Sequence, residues 1–184
     1  MESITVKEMM VPLEDYATVS EDATLAGAVL ALEEAQENFD RHHYRHRAIL
    51  VYDKNGKIVG KVSQIDVLKA LEPKYQGENG LEDLDQYGIS AKYVRGLIDE
   101  LGLFKNPLQD ICRKAAALTV KNIMYTPTKG EYVSEDATLN EAIIQLIAGK
   151  HQSLIVTRGK EIVGILRLTD VFKKVTGMIK ACKI

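Results

Sequence analysis

Two short segments place a carboxylate six residues after a glycine, each where a helix is predicted to begin. The first segment spans residues 60–66 and reads Gly-x-x-Ser-x-x-Asp, and the second spans residues 164–170 and reads Gly-x-x-Arg-x-x-Asp. An ionised carboxylate can accept hydrogen bonds from both hydroxyls of a vicinal diol. The amino end of a helix favours a bound anion. These groups have the chemistry to contact a polar or anionic ligand.

A purely structural explanation also fits the first segment. Ser63 and Asp66 have the spacing of a capping box, in which the two side chains satisfy backbone N–H groups at the start of a helix. The second segment departs from this pattern because Arg167 cannot cap a helix with its side chain. Its guanidinium can hold a phosphate as a fork, or it can be a surface charge while Thr169 caps the helix. The sequence leaves these alternatives open.

The densest positive cluster of the chain is the run from Arg41 to Arg47, which holds three arginines and three histidines. One interpretation is a solvated helix end, where cations are favourable, and another is a surface for nucleic acid or another polyanion, which predicts steep salt dependence. His42 and His46 stand four residues apart, as metal ligands on a helix can. No acidic or cysteine third ligand is evident, so we expect no metal.

The elements that position these residues occur twice. The heptapeptide Val-Ser-Glu-Asp-Ala-Thr-Leu stands at residues 19–25 and again, unchanged, at residues 133–139, and Thr5–Lys7 recurs in register as Thr119–Lys121. Apolar spacing predicts the order extended–helix–strand–strand–helix in each copy. We therefore predict an α/β (α+β) fold with a first repeat at residues 1–73, a helical insertion at 74–118 and a second repeat at 119–184. The insertion is too apolar to be a free linker.

Composition excludes several classes of protein. The net charge is −2, hydrophobic residues make up 46% of the chain, and aromatic residues only 6%. No signal peptide or membrane span is evident, and Cys112 and Cys182 have no metal-type spacing, which predicts free thiols in the cytoplasm. No catalytic triad order, P-loop lysine or dinucleotide turn is present, so we predict that the chain is not an enzyme.

The order of these motifs resembles the cystathionine-β-synthase (CBS) domain, a unit that occurs in tandem pairs. The matching features are Val-x-x-x-Met near each start (residues 6–10 and 120–124), the repeated heptapeptide, and Ile-Val-Gly-x-x-x-x-x-Asp near each end (58–66 and 162–170). The resemblance covers everything except the insertion. It implies two units packed as a pseudo-two-fold pair with two clefts between them. It also implies a homodimer and a regulatory effect on an attached or partner protein.

The resemblance further implies a ligand and its contacts. Such pairs often bind AMP, ADP, ATP or S-adenosylmethionine; the aspartate accepts hydrogen bonds from the ribose hydroxyls, the serine faces phosphate, and basic residues before the first hairpin strand reach phosphates. The residues implicated are Thr18, His46, Arg47, Ser63, Asp66, His151, Arg167 and Asp170. We expect the nucleotide to be a regulatory ligand and no cofactor to be required. The competing hypothesis is a ligand-free interaction module that works through dimerisation and the helical insertion.

Overall fold

The computed structural model describes residues 4–38, 46–71 and 111–182 of the chain. The basic run from Arg41 to Arg45, which includes the possible metal ligand His42, lies outside the described residues. So does the insertion up to residue 110.

The described part of the first repeat follows the predicted order. Two short 3₁₀ turns, Val6–Glu8 and Leu13–Asp15, flank the first strand. The strands and helices are β1 (Val11–Pro12), β2 (Thr18–Ser20), α1 (Leu25–Asn38), β3 (Ala48–Tyr52), β4 (Ile58–Ser63) and α2 (Gln64–Leu71).

The second repeat has the same order, preceded by the described end of the insertion. That end is helix α3 (Ile111–Ala117), and its Lys114 Nζ donates a hydrogen bond of 3.0 Å to the Leu71 carbonyl of the first repeat. The remaining elements are α4 (Val120–Ile123), β5 (Tyr132–Ser134), α5 (Leu139–Ala148), β6 (Ser153–Arg158), β7 (Glu161–Arg167) and α6 (Leu168–Ala181). The repetition seen in the sequence is therefore a repetition of structure.

Each repeat builds one sheet from a parallel pair and an antiparallel hairpin. Strands β2, β3 and β4 form the first sheet, and β5, β6 and β7 form the second. Strand β1 of the first repeat adds to the edge of the second sheet, with Val11 opposite Ile165. Reciprocally, Tyr125 of the second repeat bridges Lys61 of β4. Each repeat thus supplies an edge to the sheet of the other.

The first turn of each repeat also packs inside the other repeat. The Val6 N–H donates to the Ala137 carbonyl at 2.9 Å, and the equivalent Val120 N–H donates to the Ala23 carbonyl at 2.8 Å. Both valines are fully buried, Val6 in the core of the second repeat and Val120 in the core of the first. Because each core is completed by a residue of the other half, the two repeats form one cooperative body. This reciprocity confirms the predicted pseudo-two-fold pair.

The repeated glycine and methionine of the motifs form one contact between the repeats. A Cβ atom on Gly60 would lie 2.7 Å from Met124 Sδ, and one on Gly164 would collide with the Val11 carbonyl and lie 3.1 Å from Met10 Sδ. Only a residue without a side chain lets the edge segment of the other repeat approach so closely. The glycine in each ligand-type segment therefore has a packing role, independent of any ligand.

Candidate ligand clefts

The first cleft lies at the start of α2 and is called the Asp66 cleft. Its volume is about 490 Å³, within the range of small-molecule sites. The charged side chains that line it are Arg47, Lys61, Asp66, Glu131, Lys150, His151 and Arg167. Ser63 also lines this cleft. A carboxylate and several cations therefore share one concave surface.

The predicted capping box is present at the mouth of this cleft. The Ser63 N–H and hydroxyl donate to Asp66 Oδ2 at 2.8 and 2.6 Å, and the Asp66 N–H donates to Ser63 Oγ at 3.3 Å. The capping explanation of Ser63 and Asp66 therefore describes their hydrogen bonds correctly. All of the bonds that Asp66 accepts in the cap go to Oδ2. Oδ1 therefore accepts no bond in the cap. The Asp66 carboxylate can accept hydrogen bonds from a ligand through Oδ1 while Oδ2 holds the cap.

A buried ionic cluster lies beside the carboxylate, and the sequence reasoning missed it. Glu131 is only 2% exposed and forms a salt bridge with Lys61. Tyr125 Oη donates to Glu131 Oε1 at 2.6 Å, and the Thr128 N–H donates to the same oxygen at 3.1 Å. Burial raises the pKa of the Glu131 carboxyl, but the bonds from Lys61 and Tyr125 outweigh it and hold that pKa below its usual value. The Thr-x-x-Glu spacing was the signal that could have drawn attention to Glu131.

The second cleft lies at the start of α6 and is called the Asp170 cleft. It has a volume of about 890 Å³ and is lined mainly by the Met10–Pro12 edge segment and one side of α6; its charged side chains are Glu8, Asp15, Arg167, Asp170, Lys173 and Lys174. Helix α6 begins at Leu168, so Thr169 does not cap it as one alternative supposed. The aspartate of the second segment therefore faces a cleft of its own.

Arg167 and Asp170 form a bidentate ion pair in this cleft. Arg167 Nη2 donates to Asp170 Oδ1 at 2.8 Å, and Arg167 Nε donates to Oδ2. Arg167 is 4% exposed, so it is not a surface charge. The fork predicted for a phosphate holds the neighbouring carboxylate in this structure, and both Asp170 oxygens are engaged.

His46 lies behind that ion pair. The His46 side chain is completely buried, its ring meets the Tyr16 ring edge-on at a centroid distance of 4.5 Å, and Arg167 Nη1 lies 3.4 Å from its Nδ1. Burial, reinforced by the Arg167 charge, lowers the pKa of His46 to about 4. His46 lines neither the Asp66 cleft nor the Asp170 cleft, and it lies against Arg167, which lines both. The equivalent residue of the second repeat, His151, is partly exposed and lines the Asp66 cleft.

The structure brings together some of the predicted site residues and separates others. The Asp66 cleft gathers Arg47, Ser63, Asp66, His151 and Arg167. Thr18, at the start of β2, lines neither this cleft nor the Asp170 cleft but a third, open surface with Tyr52 and Arg158.

Residues 4–38, 46–71 and 111–182 contain neither a candidate metal site nor a helix that could span a membrane. In these ranges no group of three or more His, Cys, Asp or Glu side chains is placed to hold a metal ion. No helix in the same ranges has the length and apolar character needed to cross a membrane.

The family profile of the CBS domain matches residues 6–73 and 120–177. The chain therefore belongs to the CBS domain family and carries a tandem pair of these domains. No curated protein sequence matches it.

Solved structures agree with this assignment at the level of the fold. The CBS-pair protein CBSX2 from Arabidopsis thaliana is 20% identical with a TM-score of 0.61, and the alignment covers 98% of this chain and 100% of that chain. A crystal structure of CBSX2 in complex with AMP gives a TM-score of 0.59 at 20% identity, covering 95% and 98%. The CBS domain of a membrane protein from Sphaerobacter thermophilus gives 0.58 at 20% identity, covering 93% and 87%.

Proposed function

We propose that this protein is a regulatory module that binds an adenine nucleotide between its two CBS repeats and passes the occupancy on to a partner protein. The observation that carries the proposal is the composition of the Asp66 cleft, where Asp66 shares one surface with Arg47, Lys150 and His151. A carboxylate suits the ribose diol and the cations suit phosphate. The CBSX2 complex supports the ligand class, since AMP is bound there to a protein of the same fold.

Each site residue has a role in this proposal. Asp66 accepts hydrogen bonds from the ribose hydroxyls through Oδ1, while Ser63 and the amino end of α2 face the phosphate. Arg47 and His151, which line the same cleft, contact the phosphate. Asp170 and Arg167 are the corresponding groups of the second cleft, and His46 positions Arg167.

The edge segment that each repeat lends to the sheet of the other can pass ligand binding from a cleft to both repeats. The wall of the Asp66 cleft includes Tyr125, which bridges β4, and the wall of the Asp170 cleft includes Val11, which pairs with β7. A ligand that favours one spacing of the repeats therefore shifts both sheets together.

Apolar side chains on the outer helices support a homodimer. Ile144 and Ile147 of α5 and Phe172 and Ile179 of α6 are exposed. Apolar residues on the outside of two neighbouring helices form a patch of the kind that protein interfaces cover. In the proposed function this dimer, or a regulated partner, reads the state of the clefts, and the module performs no catalysis of its own.

The test is isothermal titration of the protein with AMP, ATP and S-adenosylmethionine, repeated on Asp66→Ala. We expect the affinity for the bound nucleotide to fall at least about tenfold, since hydrogen bonds to a charged group are worth about 1.5–3 kcal/mol. Glu141→Ala is the matched control, because Glu141 forms the same type of cap with Thr138, with bonds of 2.7 and 2.8 Å, on a helix end that lines none of the described clefts. Equal affinity in both variants would remove the assigned ribose contact.

The competing function is a ligand-free interaction module. The observation that favours it is that the caps at Ser63 and Thr138 are complete without a ligand. This alternative predicts a dimer with no heat of binding for any of the three compounds and no effect of them on the melting temperature.

A further inference from the structure

Arg167 belongs to both clefts. It is the last residue of β7 and lines the Asp66 cleft and the Asp170 cleft alike. Its guanidinium is buried between the two, with Asp170 on one side and His46 on another. The corresponding residue of the first repeat is Ser63, which is too short to span from one cleft to the other. The second repeat therefore has a connection that the first repeat lacks.

The ion pair with Arg167 engages both oxygens of Asp170, the carboxylate assigned to the diol in the second cleft. Both Asp170 oxygens are held by Arg167, whereas Asp66 uses only Oδ2 for its cap. In the proposed function the diol binds Oδ1 of Asp66, the oxygen outside the cap, whereas Asp170 has no oxygen without a bond to Arg167. A ligand can therefore use Asp66 as it stands, but it can use Asp170 only after the guanidinium has moved.

An anion in the Asp66 cleft would compete for that guanidinium. A phosphate presents the same fork geometry to arginine as a carboxylate does and carries more charge. Arg47 and Lys150 line this cleft, and their positive charges favour an anion there. His46 contacts Nη1, whereas Nε and Nη2 bond to Asp170, so His46 can keep hold of the guanidinium as those two nitrogens exchange partners.

We propose that Arg167 couples the two clefts: a phosphate bound in the Asp66 cleft withdraws the guanidinium from Asp170 and thereby opens the Asp170 cleft to a second, diol-bearing ligand. This inference rests on the proposed function, since it assigns a regulation to the same two clefts. The coupling is positive and, by linkage, reciprocal: a diol on Asp170 strengthens phosphate binding in the other cleft.

The test separates the two clefts by using two probes, adenosine for the diol and inorganic phosphate for the anion. In Asp66→Ala, adenosine binding reports on the Asp170 cleft alone. We expect its affinity to rise at least about fivefold in millimolar phosphate, compared with sodium chloride at equal ionic strength. In Asp66→Ala with Arg167→Ser, adenosine should bind as tightly without phosphate as with it. In Asp66→Ala with Asp170→Ala, adenosine binding should be lost.

A second measurement is made on the wild-type protein, and a variant of the arginine serves only to assign the signal. The Arg167 Nε–H signal in an NMR spectrum of the wild-type protein, assigned by its absence in Arg167→Lys, should shift on addition of phosphate. An unmoved signal, or adenosine affinity that ignores phosphate in Asp66→Ala, would overturn the coupling while AMP binding by the wild type still supports the proposed function. Absence of AMP binding by the wild type and of adenosine binding by every variant would overturn both.

Discussion

The two clefts occupy equivalent places in the two repeats but differ at matching positions. At the edge bridge, Val11 faces Ile165 in the Asp170 cleft, and Tyr125 faces Lys61 in the Asp66 cleft. The first pair is buried and apolar, while Lys61 of the second pair forms a salt bridge with Glu131. The duplication has thus kept the backbone contacts and changed the chemistry of the side chains.

The same contrast holds at two further positions. Ala17, buried in the first repeat, corresponds to Glu131 in the second, and Ser63 corresponds to Arg167. The Asp170 carboxylate is therefore held by an internal cation, and the residues that match Lys61 and Glu131 are the buried, apolar Ile165 and Ala17. The Asp66 cleft contains the Lys61–Glu131 ion pair and a carboxylate with one oxygen outside the cap. The two clefts therefore share a backbone arrangement but differ in the side chains that would contact a ligand.

The largest effect is expected from a methyl group at the glycine contacts. Gly164→Ala should lower the free energy of unfolding by about 3 kcal/mol, because its Cβ meets the Val11 backbone, which cannot move without breaking the β1–β7 pair. Gly60→Ala should cost about 1 kcal/mol, since its nearest obstacle is the flexible Met124 side chain. Urea denaturation measures both, and equal losses would contradict the distinction between backbone and side-chain obstacles.

The next effect concerns the two equivalent histidines. The pKa of His46 is about 4 in the folded protein and about 6.5 when unfolded, so the unfolded state takes up the proton first. As the pH falls from about 6.5 to about 4, the wild type should therefore lose about 2–3 kcal/mol of stability relative to His46→Asn. Urea denaturation across this range tests it. His151→Asn is the control for loss of an imidazole at the equivalent, partly exposed position.

The Lys61–Glu131 ion pair of the Asp66 cleft should contribute a smaller stabilisation. Glu131→Gln should lower the free energy of unfolding by about 2 kcal/mol, because Lys61 loses its charged partner in a largely buried place. Lys61→Ile combined with Glu131→Ala introduces the residue types found at the equivalent positions, Ile165 and Ala17. This double variant should recover part of the lost stability. A double variant that loses as much stability as the two single changes added together would show that an apolar pair cannot replace the Lys61–Glu131 pair.

That carboxyl also has a pH signature. The pKa of Glu131 is lower in the folded state than its usual value of 4.5, so its stabilisation is present above that value and is lost as the pH falls through the folded pKa. Glu131→Gln should therefore show a weaker loss of stability in acid than the wild type. Parallel acid unfolding curves, followed by circular dichroism, would contradict the assigned contacts.

The smallest effect is expected at two ion pairs formed by equivalent glutamates, each with a cation that is more than half exposed. Glu135 accepts a bidentate contact from Arg158, whereas Glu21 meets Lys121 at a single distance of 3.4 Å. Exposed pairs contribute little unless the geometry is bidentate. Arg158→Met should lower the melting temperature slightly in low salt, and Lys121→Met should not change it measurably. The difference should vanish at high ionic strength.

The sequence predicted local structure correctly where residues close together in the chain determine it. The heptapeptide at residues 19–25 and 133–139 predicted the duplication, and the spacing of Ser63 and Asp66 predicted a cap whose atoms are three residues apart. Such features depend on residues within one or two helical turns, which act through the backbone they share. The sequence by itself therefore determined the repeated order of elements and the family.

The tertiary structure decided which residues meet across the repeats. Nothing in the spacing of Arg167 indicates that it is buried against His46, because 121 positions separate the two residues in the chain. Likewise Glu131 meets Lys61 only because each repeat lends an edge segment to the sheet of the other. Charges at long sequence separation acquire partners through the fold, and burial then sets their strength. The duplicated sequence specified two similar clefts, and only their packing left one oxygen of Asp66 outside its cap and engaged both oxygens of Asp170 with Arg167.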